Sequence, residues 1–147
     1  MNFENKVLCG CGVVLFNEQG AFLLLKRKSK HAAGTYCLPG GWIEKGEDLL
    51  SAGAREVSEE VGVDVENLQI IGVTNNIFPQ ENLHTVSVIM AATIKSGEPK
   101  IMEPDKCAAL VWCDDWDNVP QPALTEYNRY ISKQQIEDYR RKVVKND

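Results

Sequence analysis

Residues 41–63, which read GWIEKGEDLLSAGAREVSEEVGV, constrain the fold of this chain more than any other segment does. Within them, apolar residues recur four, three and four positions apart, at Leu50, Ala54, Val57 and Val61. That spacing places them on one face of an amphipathic helix. Gly62 follows at once, and glycine is the usual residue just past the end of a helix. We therefore predict a helix over residues 48–61 that packs through this face.

Three acidic side chains share another face of the same predicted helix. Glu56 is three residues from Glu59 and four from Glu60, so the three carboxylates are neighbours. Each negative charge disfavours ionisation of the others, and a divalent cation relieves that repulsion. Mg²⁺ suits such a cluster because it prefers oxygen ligands. The alternative is that these residues form an ordinary solvated helix face.

The residues around these acids fill every fixed position of a known pattern. In G-x5-E-x7-R-E-U-x-E-E-x-G-U, where U is a bulky aliphatic residue, the fixed positions are Gly41, Glu47, Arg55, Glu56, Val57, Glu59, Glu60, Gly62 and Val63. The segment resembles the Nudix box, and the chain is identified from it as a member of the Nudix hydrolase family. A pattern with this many filled positions is far more specific than a single glycine-rich loop.

The resemblance implies roles for these residues. The metal-binding acids of the family correspond to Glu56, Glu59 and Glu60. Glu56 or Glu59 would also deprotonate or orient the attacking water. Gly41 resembles the turn where a backbone carbonyl approaches the metal. Glu47 and Arg55 resemble a pair that braces the loop against the helix, because arginine can hold a carboxylate in a fixed orientation. The implied cofactor is Mg²⁺, for which Mn²⁺ can substitute.

Stretches outside the box resemble a narrower subgroup, the MutT-like nucleoside-triphosphate diphosphatases. These stretches are LLLKRKS, GTYCLPGGWIEKGE, VTNNIF and EPKIMEPDKC, within a likeness that runs from about Val13 to Trp116. The subgroup resemblance implies hydrolysis of a nucleoside triphosphate, including oxidised or noncanonical ones, to a monophosphate and pyrophosphate. Where the subgroup commonly has Gly-His-Leu-Glu, residues 41–44 read Gly-Trp-Ile-Glu, which leaves the preferred base open.

Two other functions remain open at this point. One is an ADP-ribose or nucleotide-sugar diphosphatase of the same family. The other belongs to a different class, a non-catalytic Nudix-fold module that binds nucleotides. Modules of that kind typically lose one or more acids of the box, whereas this chain keeps all three, and an enzyme is therefore preferred.

Candidate substrate contacts lie outside the box. Arg27 belongs to a short basic run in a chain of net negative charge and is predicted to contact phosphate, with a solvated turn as the alternative. By its position in the subgroup resemblance, Trp112 is predicted to lie near a base, on which an aromatic ring can stack, with core packing as the alternative. Glu103, just before Pro104, is a candidate for a further metal or water contact, with a plain surface acid as the alternative.

Strand patterns occur on both sides of the predicted helix. Apolar and β-branched stretches predict strands at 9–16, 21–27, 35–38, 68–78, 85–94 and 108–112. Residues 17–20 predict a hairpin turn that makes the first two strands partners. A second helix is predicted from Leu124 to about Arg140, after Pro122. This mixture predicts an α+β domain layered as an α/β/α sandwich. The family resemblance adds a mixed sheet with a catalytic loop-helix-loop.

Length and composition limit the remaining possibilities. The 147 residues fit a single domain spanning 1–147. The net charge of −5 disfavours a nucleic-acid-binding surface, so a small nucleotide is the expected partner and a nucleic acid polymer is not. Five cysteines without a CxxC pair predict reduced thiols, and the apolar runs are too short to span a membrane. We expect a soluble, cytoplasmic protein, and the subgroup resemblance implies a homodimer.

Overall fold

The computed structural model describes residues 5–28, 33–120 and 133–144. At its centre lies strand β1 (Leu8–Phe16). Val13 and Leu15 of this strand face one apolar core, whereas Val14 and Phe16 face a second core on the other side. A strand that is covered on both faces requires a nearly continuous apolar run, and the sequence of β1 provides one.

The other strands are β2 (Phe22–Arg27), β3 (Tyr36–Cys37), β4 (Gly40–Trp42), β5 (Asp64–Phe78), β6 (Leu83–Ser96) and β7 (Cys107–Cys113). They form one sheet in the order β3-β2-β1-β6-β5, with β4 paired to β1 and β7 paired to β2. Strands β1 and β6 run parallel, whereas the remaining pairs are antiparallel. The sheet is therefore mixed, which confirms the predicted α+β class.

The first two strands are antiparallel neighbours joined by the predicted hairpin turn, but their pairing is confined to the turn. The turn itself forms, because the Asn17 side chain accepts hydrogen bonds from the backbone N–H groups of Gln19 and Ala21, each at 3.0 Å. Beyond the turn, β1 and β2 pair only at Phe16 and Phe22. Strand β1 then pairs with β6 and β4, whereas β2 pairs with β7 and β3. A turn signal is local and does not determine pairing further along the strands.

Helix α1 (Leu49–Val61) begins and ends where the sequence indicates. The Asp48 side chain accepts a hydrogen bond from the Ser51 backbone N–H at 3.1 Å, and Gly62 adopts the left-handed conformation with φ 72°. The predicted apolar face needs a correction, because Leu50 is 37% exposed. The buried face consists of Ala52, Gly53, Val57 and Val61. Small residues at 52 and 53 bring the helix close to the sheet, and the side chain of Leu50 lies outside that contact.

Helix α2 (Lys133–Tyr139) packs on the opposite face of the sheet and continues as a π-helical segment, Arg140–Val144. Its Ile136 and Tyr139 belong to the second core, whereas Val57 and Val61 of α1 belong to the first. Helices on both faces give the predicted three layers. The predicted helix also covered residues 124–132, which lie outside the described residues. No helix in the described part of the chain is long and apolar enough to cross a membrane.

Candidate active site

The three glutamates of the box line one cavity of about 370 Å³, which we call the acidic cavity. Helix α1 provides the glutamates, and β2, β4 and the segment before β7 provide the opposite walls. The charged side chains in its lining are Arg27, Glu56, Glu59, Glu60, Glu103 and Lys106. The prediction that Glu56, Glu59 and Glu60 share one helix face is therefore confirmed.

Glu60 is anchored to the backbone of β4. Its Oε2 atom accepts a hydrogen bond from the Gly40 N–H at 2.9 Å. Burial raises the pKa of Glu60 to about 8, and the nearby charges of Glu56 and Glu103 act in the same direction. Glycine at position 40 permits the close pairing of β4 with β1, because a Cβ atom there would collide with the carbonyl oxygen of Cys11. The β1–β4 pairing thus brings a backbone donor to Glu60.

Glu56 lies directly against the backbone of Gly41. A Cβ atom at Gly41 would be 2.6 Å from the carboxylate carbon of Glu56, so the close contact requires glycine. Burial raises the pKa of Glu56, although the hydrogen bond from Arg55 opposes that change. Gly41 and Glu56 are therefore adjacent, as the family resemblance implied for a metal site that uses both.

Arg55 connects the loop before α1 to the glutamates. Its Nε and Nη2 atoms donate to both carboxylate oxygens of Glu47, at 2.6 and 3.1 Å. Its Nη1 atom donates to Glu56 at 2.9 Å and to Glu59 at 3.2 Å. Nη2 also donates to the carbonyl oxygen of Trp42 at 3.1 Å. Arg55 and Glu47 are thus placed to brace loop and helix, and Arg55 also orients two of the acids.

The donor set suits a hard divalent cation. The acidic cavity holds carboxylate oxygens whose mutual repulsion and burial penalise negative charge, and Mg²⁺ offsets both costs. In the described part of the chain, no three acidic, cysteine or histidine side chains are grouped closely enough to hold a metal ion. Arg55 occupies carboxylate oxygens of Glu56 and Glu59 instead. The residue types therefore fit the metal, and Arg55 bonds only one carboxylate oxygen of Glu56 and one of Glu59.

Two basic side chains also line the acidic cavity. Arg27, which was predicted to contact phosphate, lies near the Cys37 thiol, with Nη1 and Sγ 4.0 Å apart. Lys106 was not singled out from the sequence, because a single lysine after a loop carries no pattern. Its Nζ atom lies 3.4 Å from Oε2 of Glu103, which also lines the cavity. Cations thus stand beside the acids, as a phosphate-binding site requires.

A second cavity of about 220 Å³ adjoins the first, and we call it the side pocket. The residues that line both cavities are Arg27, Cys37, Gly40, Trp42 and Glu60. Trp42 is 52% exposed and stands at the boundary between them. Burial raises the pKa of the Cys37 thiol to about 11, so this cysteine is a packed wall residue and not an activated nucleophile.

Trp112 does not line either of these cavities. It is 40% exposed on β7 and lines a different, polar cavity of about 780 Å³ together with Phe16, Glu66 and Lys95. The predicted contact between Trp112 and a base is therefore not supported by its position. The exposed aromatic residue beside the acids is Trp42, at the position where the sequence departs from the subgroup pattern.

Comparison with known proteins identifies the family. The NUDIX domain family matches residues 9–135. The chain therefore belongs to the Nudix family. It is 36% identical over 119 residues to the NAD-capped RNA hydrolase NudC of Pseudomonas aeruginosa, a match that covers 81% of this chain and 41% of that protein. The chain thus spans about two fifths of the length of these NudC relatives.

Two further similarities cover the same domain. The ADP-ribose pyrophosphatase of Methanocaldococcus jannaschii is 29% identical over 110 residues, which cover 75% of this chain and 63% of that protein. Among solved structures, a MutT NUDIX hydrolase from Burkholderia pseudomallei superposes with a TM-score of 0.79 at 32% identity. That match covers 90% of this chain and 98% of the other, so the similarity extends over nearly the whole fold.

Proposed function

We propose that this protein is a Mg²⁺-dependent nucleoside-triphosphate diphosphatase that releases a nucleoside monophosphate and pyrophosphate. The observation that supports the proposal is the acidic cavity, where three box glutamates lie beside Arg27 and Lys106. A phosphate chain needs cationic partners, whereas the acids need a divalent cation. The near full-length similarity to a MutT NUDIX hydrolase agrees with the MutT-like subgroup resemblance of the sequence, which implies a triphosphate substrate.

The residues of the acidic cavity would have distinct roles in this reaction. A Mg²⁺ ion held by Glu56, Glu59 and Glu60 would neutralise phosphate oxygens and lower the pKa of a bound water. Mn²⁺ would serve in its place. Arg27 and Lys106 would bind the phosphates from the opposite wall of the acidic cavity. The backbone at Gly41 and the carboxylate of Glu103 would add oxygen ligands or hold the attacking water. Either Glu56 or Glu59 would accept its proton.

A second candidate is hydrolysis of ADP-ribose or a nucleotide sugar. The observation in its favour is the similarity to the ADP-ribose pyrophosphatase of M. jannaschii. Both candidate reactions would cleave a diphosphate linkage in the acidic cavity. They differ in the groups that are attached to that linkage. A purely binding role is disfavoured, because non-catalytic modules of the family typically lose one or more box acids and this chain keeps all three. We also propose a cytoplasmic role in sanitation of the nucleotide pool, without a nucleic acid polymer as partner.

A substrate panel distinguishes these candidates. Ordinary and oxidised nucleoside triphosphates, ADP-ribose, NADH, nucleotide sugars and dinucleoside polyphosphates are incubated with Mg²⁺, and products are separated by chromatography. We expect a triphosphate to yield a monophosphate and pyrophosphate. A chelator should abolish the formation of these products. A preference for ADP-ribose or a nucleotide sugar would replace the proposed substrate with the second candidate. Absence of turnover with every compound would contradict both.

The assignment of the glutamates predicts the effect of neutralising them. Glu56→Gln and Glu60→Gln should each reduce kcat by about 10²–10⁴-fold, because each removes a charged oxygen ligand or proton acceptor. Both variants should remain folded by circular dichroism, since glutamine preserves shape and relieves repulsion. Glu98→Gln, at an exposed position outside the cavity, is the matched control and should retain full activity. Full activity in both box variants would contradict the assignment.

A further inference from the structure

The side pocket has an apolar wall and a polar wall. Leu38, Phe78 and Leu83 form much of the apolar part. Gly10 on β1 leaves room inside, because it carries no side chain where Ser87 and Trp42 approach. The pocket opens towards the acids through Gly40, Gly41 and Glu60. A ligand whose phosphates lie in the acidic cavity would therefore extend its organic part into this pocket.

The polar wall is built on the β5–β6 pair. Asn76 on β5 is the register partner of Thr85 on β6, and both are buried, with 5% and 6% of their surface exposed. The Nδ2 atom of Asn76 donates to Oγ1 of Thr85 at 3.0 Å and to Oγ of Ser87 at 3.1 Å. All three residues line the side pocket. The two amide hydrogens are thus committed to two hydroxyl groups.

The other end of the same amide lacks a partner. The Oδ1 atom of Asn76 is buried, and within the described residues it accepts no hydrogen bond. A buried acceptor without a partner is destabilising, so native proteins rarely keep one without a reason. The nitrogen of the same amide is held by the hydroxyl groups of Thr85 and Ser87. Asn76 therefore places an unpaired acceptor in the polar wall of the side pocket, beside Thr85 and Ser87.

We propose that Asn76 determines substrate specificity, with its Oδ1 atom accepting a hydrogen bond from an amino group on the base of the nucleotide. The proposal rests on the proposed function, because it places the phosphates in the acidic cavity. It names the chemical class that the side pocket selects, a base that carries an exocyclic amino group. A site built to bind an N–H group strongly rejects an analogue without it, since the buried acceptor is then left unpaired.

Matched triphosphates that differ by one amino group test this directly. The pairs are guanosine and inosine, adenosine and purine riboside, and cytidine and pyrimidin-2-one riboside. For the wild-type protein, we expect kcat/KM to favour the amino-bearing member of at least one pair by about tenfold or more. Asn76→Leu has a similar size and no acceptor, so it should bring that ratio close to one. Asn76→Asp retains an acceptor oxygen and should keep the preference. Asn75→Leu, on the exposed side of the same strand, is the matched control and should not change the ratio.

The outcomes separate this proposal from the proposed function. Turnover of triphosphates without an amino preference in any wild-type pair would overturn the role of Asn76 and leave the reaction intact, even if Asn76→Leu failed to fold. Preference for the members without the amino group would also overturn it, because the amide would then present its nitrogen. Calorimetric binding of the corresponding monophosphates needs no turnover. If the monophosphates bind differently according to the amino group but no triphosphate is hydrolysed, the role of Asn76 is supported and the proposed reaction is overturned. If there is neither a binding difference nor hydrolysis, both proposals are overturned.

Discussion

Arg55 is the residue on which the arrangement of the acids depends most directly. It holds Glu47 through two hydrogen bonds and reaches Glu56 and Glu59 with a third nitrogen. A guanidinium group that is fixed on one side by a carboxylate is a rigid support, because its donors lie in a plane. Loss of Glu47 would therefore free Arg55 to move towards the glutamates of the cavity.

This contact predicts a stability difference that depends on pH. The hydrogen bond from Arg55 lowers the pKa of Glu47 below its ordinary value of 4.5. A carboxyl group whose pKa is lowered by folding stabilises the protein above its ordinary pKa, and the contribution disappears as the pH falls through the lowered pKa. Glu47→Gln should therefore melt below the wild-type protein at neutral pH, and the gap should close in acid. Thermal unfolding measured across pH checks this, and a gap of constant size would contradict it.

At the residue scale, the sequence could predict the acidic wall of the candidate site better than the residues proposed to contact the base. The box fixes Glu56, Glu59 and Glu60 through a helical period, which is local. Trp112 and Asn76 show the limit. Trp112 was assigned by likeness, yet strand β7 carries it away from the acids, whereas Asn76 became visible only through its pairing with Thr85 on β6. Contacts between strands far apart in the chain have no local signal.

At the element scale, helix α1 is held against the sheet by a close contact at Gly53. A Cβ atom there would lie 2.5 Å from the sulfur of Met90, which is fully buried on β6. In an exposed helix, alanine is more favourable than glycine by about 1 kcal/mol. Here the added methyl group must displace a packed side chain, and overpacking costs about 1–3 kcal/mol. The second effect is the larger of the two.

Gly53→Ala should therefore lower the free energy of unfolding, against the usual preference of helices for alanine. Urea denaturation gives the measurement. Ser58→Ala, at an exposed position of the same helix, adds the same residue without a packing contact and should be neutral or stabilising. If Gly53→Ala were as stable as the wild-type protein or more so, the contact between α1 and Met90 would be looser than described.

Element boundaries were predictable where a regular period continues to a cap. Asp48 and Gly62 mark the ends of α1 in the sequence as clearly as in the structure. Strand β5 was predicted from Leu68, yet it begins at Asp64, because its register with β6 shifts around Asn67, which has a positive φ of 58°. Strand β4 was not predicted, since a Gly-Gly-Trp segment has no alternating pattern. Irregular strands conceal the period on which sequence analysis relies.

For the whole molecule, the parallel pairing of β1 with β6 decides where the two cavities lie. It places Gly10 of β1 opposite Ser87 of β6, and the antiparallel β4 then covers Gly10 with Trp42. The same strand therefore borders the acidic cavity through β4 and the side pocket through β6. The proposed chemistry and the proposed base selection are joined by one central strand, so they cannot be separated into independent units of the fold.

The outer strand of the sheet leads to the last prediction, which concerns oligomeric state. Within the described residues, β5 is 15 residues long and pairs with β6 alone. Val73 and Ile77 are 56% and 60% exposed on it, on the same face. Proteins rarely leave a long edge strand with apolar side chains uncovered, because it invites pairing with another chain. These features agree with the homodimer implied by the subgroup resemblance, which remains a prediction.

Sedimentation velocity should accordingly show a particle of twice the chain mass for the wild-type protein. Val73→Lys combined with Ile77→Lys should give monomers, because two charged side chains on the apolar row would repel their copies and resist burial. Ile101→Lys changes an exposed apolar residue away from β5 and should leave the dimer intact. A wild-type monomer would refute the prediction. A dimer that survives the double substitution would show instead that the two copies meet through another surface.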